Sequence, residues 1–286
     1  MMELMNCLNI WIKMKYDREP IVSVIVTSFN RPKLLEETLH SILNQSFQEY
    51  ELIVIDNYSE YDFFELIRSF GDSRIKAFQN HNDGNIAINR NYGIKQAIGK
   101  YLAFCDDDDI WRPNKLSAQV NHMKTNPKTA LCYGYAKKVG SNTKFGQKNY
   151  GILYFRMAST KNDLRSSNTI VYSSVLCSSR IFKNHLFPIE RNFIGVEDYK
   201  LWLSSLSKGN YSLITEILVD YRYHDKNTSQ KVSPSKSSIT RANGVYGSGY
   251  NFIRSLIHVS LKMYLSGILT MRIIFGRDKP FSKTIL

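Results

Sequence analysis

Short apolar runs alternate with longer segments of helical spacing through the first half of the chain. The runs at 21–26, 52–55, 75–78 and 101–105 are typical of strands buried on both faces. Between them the spacing predicts a helix starting at Asn30-Arg31-Pro32, with Asn30 as its N-cap, and helices over 63–70 and about 86–98. Gly99 is the expected C-cap of the last helix. This alternation predicts an α/β fold, Rossmann-like, with a mostly parallel sheet flanked by helices.

The second half carries a weaker pattern. Residues 136–168 are polar with scattered glycines, which predicts loops or a flap. Strands are expected at 170–176 and 213–221, and helices at 113–123 and 196–207. Residues 226–249 are rich in Ser, Gly, Asn and Lys, a composition typical of a mobile linker.

Polar residues follow three of the predicted strands. Ligands of open parallel sheets bind beyond the carboxyl ends of the strands, so Ser28 and Asn30, Asp56 and Asn57, and Asp106–Asp109 should converge on one crevice. Four adjacent aspartates raise one another's pKa unless a cation lies between them, which favours Mg²⁺ or Mn²⁺. The alternative is a solvated acidic loop with one aspartate capping the next helix. The sequence has neither a Walker lysine loop nor a G-x-G-x-x-G motif.

The net charge of +13 is concentrated at one end of the chain. Residues 226–286 hold ten Lys or Arg and one acid, so this segment carries +9 of the excess. Arg254, His258 and Lys262 form one stripe of an amphipathic helix within 251–275, which fits an anionic membrane surface. The alternatives are a helix docked on the rest of the protein or one that binds a partner. Because the charge is not spread over the whole chain, nucleic acid is not an expected partner.

Cysteine usage and apolar runs bear on location. Four widely spaced cysteines argue against a zinc site or a disulfide scaffold and fit a reducing compartment. No run reaches about 18 uncharged apolar residues, which excludes a multi-pass membrane protein. The first 20 residues lack a basic leader and a small-residue cleavage site. We therefore expect a cytoplasmic protein, or one peripheral on the inner face of the cell membrane.

Several ordered motifs resemble one known family. They are VSVIVTSFNRPKLLEETLHSILNQ, ELIVIDNYS, GNIAINRNYGI, YLAFCDDDDIWRPNKL and GVEDYKLWLSSLSKG, followed by VDYRYHDKNTS. The set resembles the inverting glycosyltransferases of family 2, which have the GT-A fold. The resemblance implies an N-terminal extension at 1–19 and a GT-A domain at 20–225. Its nucleotide-binding half is about 20–135 and its acceptor half about 136–225, before a basic linker and helical tail at 226–286.

The resemblance also implies a role for each matching residue. Asp106-x-Asp108 matches the Asp-any-Asp motif, with Asp108 bridging the metal and Asp107 contacting ribose. Asp109 is then a helix cap or a supporting group. Asp106 and Asp108 would hold Mn²⁺ or Mg²⁺, with His224 as a further metal or diphosphate ligand. The residues that match nucleotide-sugar contacts are Thr27, Phe29 (where tyrosine is usual), Asn30, Asp56 (to the pyrimidine base), Arg90, Asp106 and Asp107.

Glu197 and Asp198 match the Glu-Asp motif, with Asp198 as the general base. An inverting transfer needs one carboxylate to take the proton of the acceptor hydroxyl. The alternative for this pair is a helix N-terminus that favours acids. For Arg90 it is a surface arginine, and for Arg222, matched to a phosphate contact, it is a structural role. Trp111 and Trp202 are expected in the core rather than in an acceptor pocket.

The expected function is metal-dependent, inverting transfer of a sugar from a nucleoside-diphosphate sugar, with UDP favoured, to an acceptor hydroxyl. The expected acceptor is a saccharide or lipid-linked saccharide in cell-surface polysaccharide synthesis, such as O-antigen or capsule. One alternative is a nucleotidyltransferase that uses the aspartates and Mg²⁺. Another is a basic module that binds nucleic acid or membrane without catalysis.

Overall fold

The computed structural model describes residues 19–140, 164, 168 and 170–222, which form a mixed eight-stranded sheet with helices on both faces. The strands are β1 Val22–Ser28, β2 Tyr50–Asp56, β3 Ile75–Gln79, β4 Tyr101–Asp106, β5 Ile110–Trp111, β6 Thr129–Val139, β7 Leu176–Ser178 and β8 Asn210–Arg222. The α-helices are α1 Pro32–Leu43, α2 Phe63–Ser69, α3 Ile86–Gln96, α4 Lys115–Thr125 and α5 Glu197–Ser204. Short 3₁₀ turns lie at Tyr172–Ser174, Ser179–Lys183, Arg191–Phe193 and Leu206–Lys208.

Strand β1 lies inside the sheet and every one of its residues is buried. Val24 faces a cluster that includes Leu35 and Leu39 of α1, while Ile25 faces the opposite cluster, with Ala87 of α3. Because both faces of the strand contact helices, successive residues must all be apolar or small. This packing explains the continuous β-branched run in the sequence.

The sheet order is β3-β2-β1-β4-β7-β6-β8-β5. The first four strands are parallel, so their carboxyl ends share one edge. Strand β7 is antiparallel to both β4 and β6, β8 is parallel to β6, and β5 is antiparallel to β8. The predicted α/β class is confirmed, with all-parallel pairing in the first half and mixed pairing in the second.

Two predicted helix caps are wrong. The N-cap of α1 is Arg31, because Asn30 adopts a left-handed backbone (φ 53°) and its side chain accepts a hydrogen bond from Glu60 N–H at 2.8 Å. Helix α3 ends at Gln96, with Ala97 rather than Gly99 as its C-cap. Gly99 has a packing role instead, since a Cβ there would lie 2.5 Å from the backbone nitrogen of Ser23.

The second half departs further from the predicted pattern. Strand β6 covers positions 136–139, where a loop is predicted, and the predicted strand at 170–176 is mainly the turn Tyr172–Ser174. In both segments tertiary contacts override the local pattern: residues 136–139 pair with β8, and Ser173 Oγ accepts a hydrogen bond from Asp106 N–H. Residues 141–163 and 165–167 of the predicted flap, the linker and the basic tail fall outside the described residues. Among the helices that the structure does describe, none is both long and apolar enough to cross a membrane.

Candidate active site

The predicted convergence of polar strand ends is confirmed. Register places Ser28 beside Asp56 and Thr27 beside Asp106 at the carboxyl ends of neighbouring parallel strands. Asn57 N–H donates to the Ser28 carbonyl at 3.0 Å, which ties the loops after β1 and β2 together. One edge of the sheet therefore gathers the residues that the sequence selects.

The β1–β2 side of this edge combines a polar floor with an exposed ring. Asp56 is fully buried and accepts hydrogen bonds from Ser59 N–H at 2.8 Å, Ser59 Oγ at 2.5 Å and Gln79 Nε2 at 3.2 Å. The buried Thr27 hydroxyl has no hydrogen-bond partner among the described residues. Phe29 is 50% exposed, so its ring offers a surface on which a planar base can stack.

The aspartate quartet divides into two groups. Carboxylate oxygens of Asp106, Asp108 and Asp109 all lie within 4.8 Å of one another. Asp107 instead accepts from Phe29 N–H at 3.2 Å. Asp106 and Asp108, which the resemblance pairs as metal ligands, thus lie close together, and Asp109 joins them. A helix-capping role for Asp109 is wrong, because its Oδ1 accepts from Arg222 N–H at 3.2 Å and Asn114 is the N-cap of α4.

The electrostatics of this cluster suit a hard divalent cation. Burial, followed by the charges of Asp108 and Asp106, raises the pKa of Asp109 well above its ordinary value. Burial also raises the pKa of Asp107 to about 7, although the Arg31 charge opposes the shift. Three close carboxylates supply the oxygen ligands that Mg²⁺ and Mn²⁺ prefer, and a cation would remove their mutual repulsion. The residues present therefore fit a metal site.

Arg31 is a member of the site that the sequence analysis missed. Its Nη1 lies 3.0 Å from Asp107 Oδ1 and 2.8 Å from Asp108 Oδ2. One sequence signal does point to Arg31. It is a cation three residues beyond the end of β1, and the acidic end of β4 is predicted at the same edge of the sheet. Arg31 therefore neutralises part of the quartet from the neighbouring loop.

Arg90 joins two motifs that are far apart in sequence. Its Nη1 lies 2.7 Å from Glu197 Oε1 and its Nη2 3.0 Å from Asp106 Oδ1. The Arg90 side chain is 6% exposed, so the alternative of a surface arginine is wrong. Its guanidinium carbon lies 3.7 Å from the centre of the Tyr172 ring, and Ser173 Oγ accepts from Asp106 N–H at 3.1 Å. Neither turn residue was selected from the sequence, because the segment has no periodicity.

The two acids at the start of α5 lie in different surroundings. Glu197 uses both oxygens, one for Arg90 and the other for Gly195 N–H at 2.6 Å. Asp198 accepts from Tyr199 N–H at 2.6 Å and from Asn168 Nδ2 at 3.3 Å, and it is partly exposed. Burial and then the Glu197 charge raise the pKa of Asp198 to about 6, against the opposing charge of Arg90. Asp198 is therefore the more accessible of the two carboxylates, and its raised pKa suits a proton acceptor.

The structure also decides the predictions for Arg222 and for the two tryptophans, but not the one for His224. Arg222 is not free to contact a phosphate, because its guanidinium donates to the carbonyls of Asp108 and Leu34 and to the Glu37 carboxylate. Trp111 and Trp202 are 2% and 0% exposed, which confirms that both belong to the core. His224 lies outside the described residues.

The sheet, with its aspartate cluster at the carboxyl edge of parallel strands, defines the class of a GT-A glycosyltransferase. The family model "Glycosyl transferase family 2" matches residues 23–184. The chain is 32% identical over 211 residues to the Escherichia coli UDP-Glc:alpha-D-GlcNAc-diphosphoundecaprenol beta-1,3-glucosyltransferase WfaP, covering 71% of this chain and 78% of WfaP. It is 28% identical to the putative teichuronic acid biosynthesis glycosyltransferase TuaG of Bacillus subtilis, covering 71% and 79% of the two chains. The chain belongs to glycosyl transferase family 2 and is a glycosyltransferase.

Solved structures show the same fold. S. aureus TarS 1-349 in complex with UDP-GlcNAc matches with a TM-score of 0.62 at 19% identity, over 77% of this chain and 64% of that one. The chain thus spans less than two thirds of that TarS chain. The mannosyltransferase PcManGT from Pyrobaculum calidifontis, in complex with GDP-Man and Mn2+, matches with a TM-score of 0.59 at 13% identity, over 95% and 84%. Membership of the family makes a nucleotidyltransferase and a non-catalytic binding module the wrong alternatives.

Proposed function

We propose that this chain is a divalent-metal-dependent, inverting glycosyltransferase. It transfers a sugar from a UDP-sugar to a hydroxyl of a saccharide acceptor in cell-surface polysaccharide synthesis. One observation carries the proposal: Arg90 bridges Asp106 of the carboxylate cluster and Glu197, the residue next to the basic carboxylate Asp198. This arrangement supports the proposal, because one arginine connects a carboxylate that would hold the cation with the residue beside the carboxylate that would take up the proton.

The donor half of the proposal rests on the crevice between β1, β2 and β4. Phe29 provides a stacking face, and Asp56 provides a carboxylate that can accept from the imide N–H of uracil. Asp106 and Asp108, with Asp109 beside them, would hold the metal, which when bound neutralises the departing diphosphate as a Lewis acid. WfaP is named for UDP-Glc and the TarS complex contains UDP-GlcNAc, which supports UDP as the nucleotide.

The proton of the acceptor hydroxyl is assigned to Asp198. A base works best when its pKa lies near the operating pH, and the pKa of this carboxyl is about 6. Asn168 and Tyr199 N–H orient the Asp198 carboxylate by hydrogen bonds. One base is enough for inversion, because the acceptor oxygen attacks the anomeric carbon as the donor's phosphate oxygen departs and no glycosyl-enzyme intermediate forms. Glu197 keeps Arg90 in place through the contact of Oε1 with Nη1.

The acceptor half of the proposal rests on the relatives. WfaP and WfgD, both at 32% identity, are named for transfer to alpha-D-GlcNAc-diphosphoundecaprenol. A saccharide carried on a lipid diphosphate is therefore the acceptor class that we propose for this chain. Such an acceptor would bring the enzyme to a membrane surface, on the cytoplasmic side where nucleotide sugars are made.

A transfer assay tests the proposal. Purified full-length protein is given UDP-Glc, UDP-GlcNAc or UDP-Gal with a synthetic GlcNAc-diphospho-lipid, in Mn²⁺ or in EDTA, and the product linkage is read by NMR. We expect release of UDP, an inverted anomeric centre and loss of transfer in EDTA. Asp198→Asn should lower turnover about 100-fold or more. Asp72→Asn, which changes a carboxylate paired with Arg74 before the amino end of β3, at the opposite edge of the parallel strands, is the matched control and should leave turnover unchanged.

Three results would each overturn part of the proposal. Retention of the anomeric configuration would exclude a single-step displacement. Full activity in EDTA would exclude the metal role of the cluster. Normal turnover in Asp198→Asn would exclude Asp198 as the base.

A further inference from the structure

Lys115, the first residue of α4, is a fully buried cation that the proposed reaction does not use. Its Nζ donates to Gln119 Oε1 at 2.7 Å, lies 3.4 Å from the Val175 carbonyl and sits 3.8 Å from the centre of the Trp111 ring. Within the described residues no carboxylate pairs with it. Burial lowers the pKa of Lys115 to about 7. An ammonium group held in the core without a counter-ion costs stability, so its retention calls for another reason.

Gln119 connects Lys115 to the 3₁₀ turn Tyr172–Ser174. With Oε1 accepting from Lys115, its Nε2 donates to the Ser174 carbonyl at 2.8 Å and lies 3.3 Å from the Cys132 carbonyl. Lys115 and Gln119 together therefore reach two successive carbonyls, those of Ser174 and Val175, at the end of the 3₁₀ turn Tyr172–Ser174.

The other side of this turn faces the catalytic residues. Ser173 Oγ accepts from the backbone N–H of Asp106, and the Tyr172 ring lies beneath the Arg90 guanidinium. The turn is only three residues long. A shift of its carbonyl end would therefore displace Ser173 and Tyr172 by a similar distance, and with them the support of Asp106 and Arg90.

We propose that Lys115 and Gln119 are positioning residues for the catalytic carboxylates, acting through the turn Tyr172–Ser174. The pair touches neither donor nor acceptor. It fixes the turn, the turn fixes the metal-binding Asp106 and the bridging Arg90, and Arg90 fixes Glu197 beside the base. The inference rests on the proposed function, since it takes Asp106 as a metal ligand.

Lys115→Met tests the proposal, because it keeps the length of the side chain and removes its charge and hydrogen bonds. We expect stability to chemical unfolding to be unchanged or higher, since a buried charge is lost. The affinity for Mn²⁺, measured by calorimetry with UDP present, should fall about tenfold. Turnover should fall by at least that factor, with a smaller change in KM for the donor. A structural role alone would lower stability and leave metal affinity as it is.

Gln119→Glu is the second variant and does not depend on the first one folding. The new carboxylate can pair with Lys115, while the donor to the Ser174 carbonyl is lost. Metal affinity should again fall about tenfold in a well-folded protein. The control is Gln48→Glu, since Gln48 Nε2 donates to the Gln45 carbonyl and its Oε1 accepts from Arg74 Nη1 at 2.6 Å, contacts that involve the loop before β2 and not the turn. This control should keep the metal affinity of the wild type.

Coupling to Ser173 completes the test. Ser173→Ala should weaken Mn²⁺ binding by itself, and the double variant Lys115→Met/Ser173→Ala should be no weaker than the worse single variant. Wild-type metal affinity in Gln119→Glu, or losses that add in the double variant, would overturn the proposal. If the wild-type protein itself binds neither Mn²⁺ nor UDP, the proposed function fails instead, which keeps the two failures apart.

Discussion

Arg31 Nη1 lies 2.8 Å from Asp108 Oδ2, so a guanidinium holds a carboxylate that the proposed function assigns to a metal. The same nitrogen lies 3.0 Å from Asp107 Oδ1. Two nearly buried carboxylates thus share one partly exposed cation. Arg31 balances the charges of Asp107 and Asp108 wherever a divalent cation does not, while Arg90 pairs with Asp106.

Replacing Arg31 by Gln should expose that dependence. We expect the free energy of unfolding to fall by about 1–2 kcal/mol in EDTA, because Asp107 and Asp108 then repel each other without a counter-charge. Saturating Mn²⁺ should restore most of the loss, since the cation takes over the neutralisation. Urea unfolding with and without Mn²⁺ measures both values.

Arg74→Gln is the matched control for this experiment. Arg74 pairs with Asp72 at 2.6 Å, at the start of β3 and away from the quartet. Its loss of stability should be the same with and without Mn²⁺. An Arg31→Gln deficit that is equally insensitive to Mn²⁺ would contradict the assigned role.

The rate of transfer should depend on pH through Asp198. Burial and Glu197 raise the pKa of this carboxyl from its ordinary 3.8 to about 6, and a general base must be deprotonated to act. At saturating Mn²⁺ the rate should therefore fall about tenfold per pH unit below about pH 6. Asn168→Ala should move this limb to higher pH, because the hydrogen bond from Asn168 favours the charged form. A fall in rate that begins only near pH 4, or one that begins at the same pH in Asn168→Ala, would contradict the role of Asp198 as the base.

The raised pKa of Asp198 also makes the stability of the fold depend on pH. A raised pKa means that the folded state holds the proton more tightly, so the contribution of Asp198 is full below pH 3.8 and is lost as the pH rises through about 6. Asp198→Asn should then stabilise the fold by about 1 kcal/mol near pH 8, a value reduced for the partial exposure of the group. Near pH 4 the variant and the wild type should be nearly equal. Urea unfolding at the two pH values checks the difference.

Arg90→Met should be strongly destabilising. The variant leaves Asp106 and Glu197 without their shared cation, and Glu197 is 8% exposed, so we expect a loss of about 3–4 kcal/mol. Glu197→Gln removes one of the two orphaned charges. The double variant should therefore lose about 1–2 kcal/mol less than the sum of the single losses. Strictly additive losses in urea unfolding would show that the pair is not coupled.

Gly99→Ala should destabilise by about 2–3 kcal/mol, because the new Cβ would meet the backbone of Ser23 at 2.5 Å. Gly71→Ala is the comparison. Gly71 has a positive φ of 58° but open space around the missing Cβ, so only backbone strain of about 1 kcal/mol is expected. Equal losses in thermal or urea unfolding would mean that packing against Ser23 is not what requires glycine at position 99.

The parallel half of the fold was predictable because its strands are buried on both faces. Val24 and Ile25 pack into opposite clusters. Because both faces of such a strand are buried, its sequence is an unbroken run of apolar residues. The aspartate quartet and the Glu197-Asp198 pair were visible for a related reason, since acids directly after a strand or at a helix start are local signals. Arg90 was selected through its motif, but not its partners.

The parts of the fold and of the site that the sequence does not predict depend on contacts between segments that are distant along the chain. Gln119 donates to the Ser174 carbonyl, and Ser173 of the same turn accepts from Asp106 N–H. Such contacts produce no periodic pattern of apolar residues in the sequence. The residue type of Asn30 predicts a helix cap, whereas its side chain accepts a hydrogen bond from Glu60 N–H in another loop. Arg222 follows the same rule, since its partners lie on α1 and in the quartet.

The order in which this site can assemble follows from the position of β8. Arg90 and Glu197 are 107 residues apart, and Arg222 meets Asp108 across 114 residues and Glu37 across 185. Contacts of such long range close late in folding, because the entropy of a large loop must be overcome first. A chain that is still emerging from the ribosome, before β8 is made, can therefore have the parallel strands and the four aspartates. It lacks Arg222, which contacts Asp108 and Asp109. The contacts around the quartet are therefore complete only when β8, the last of the described strands, has joined the sheet.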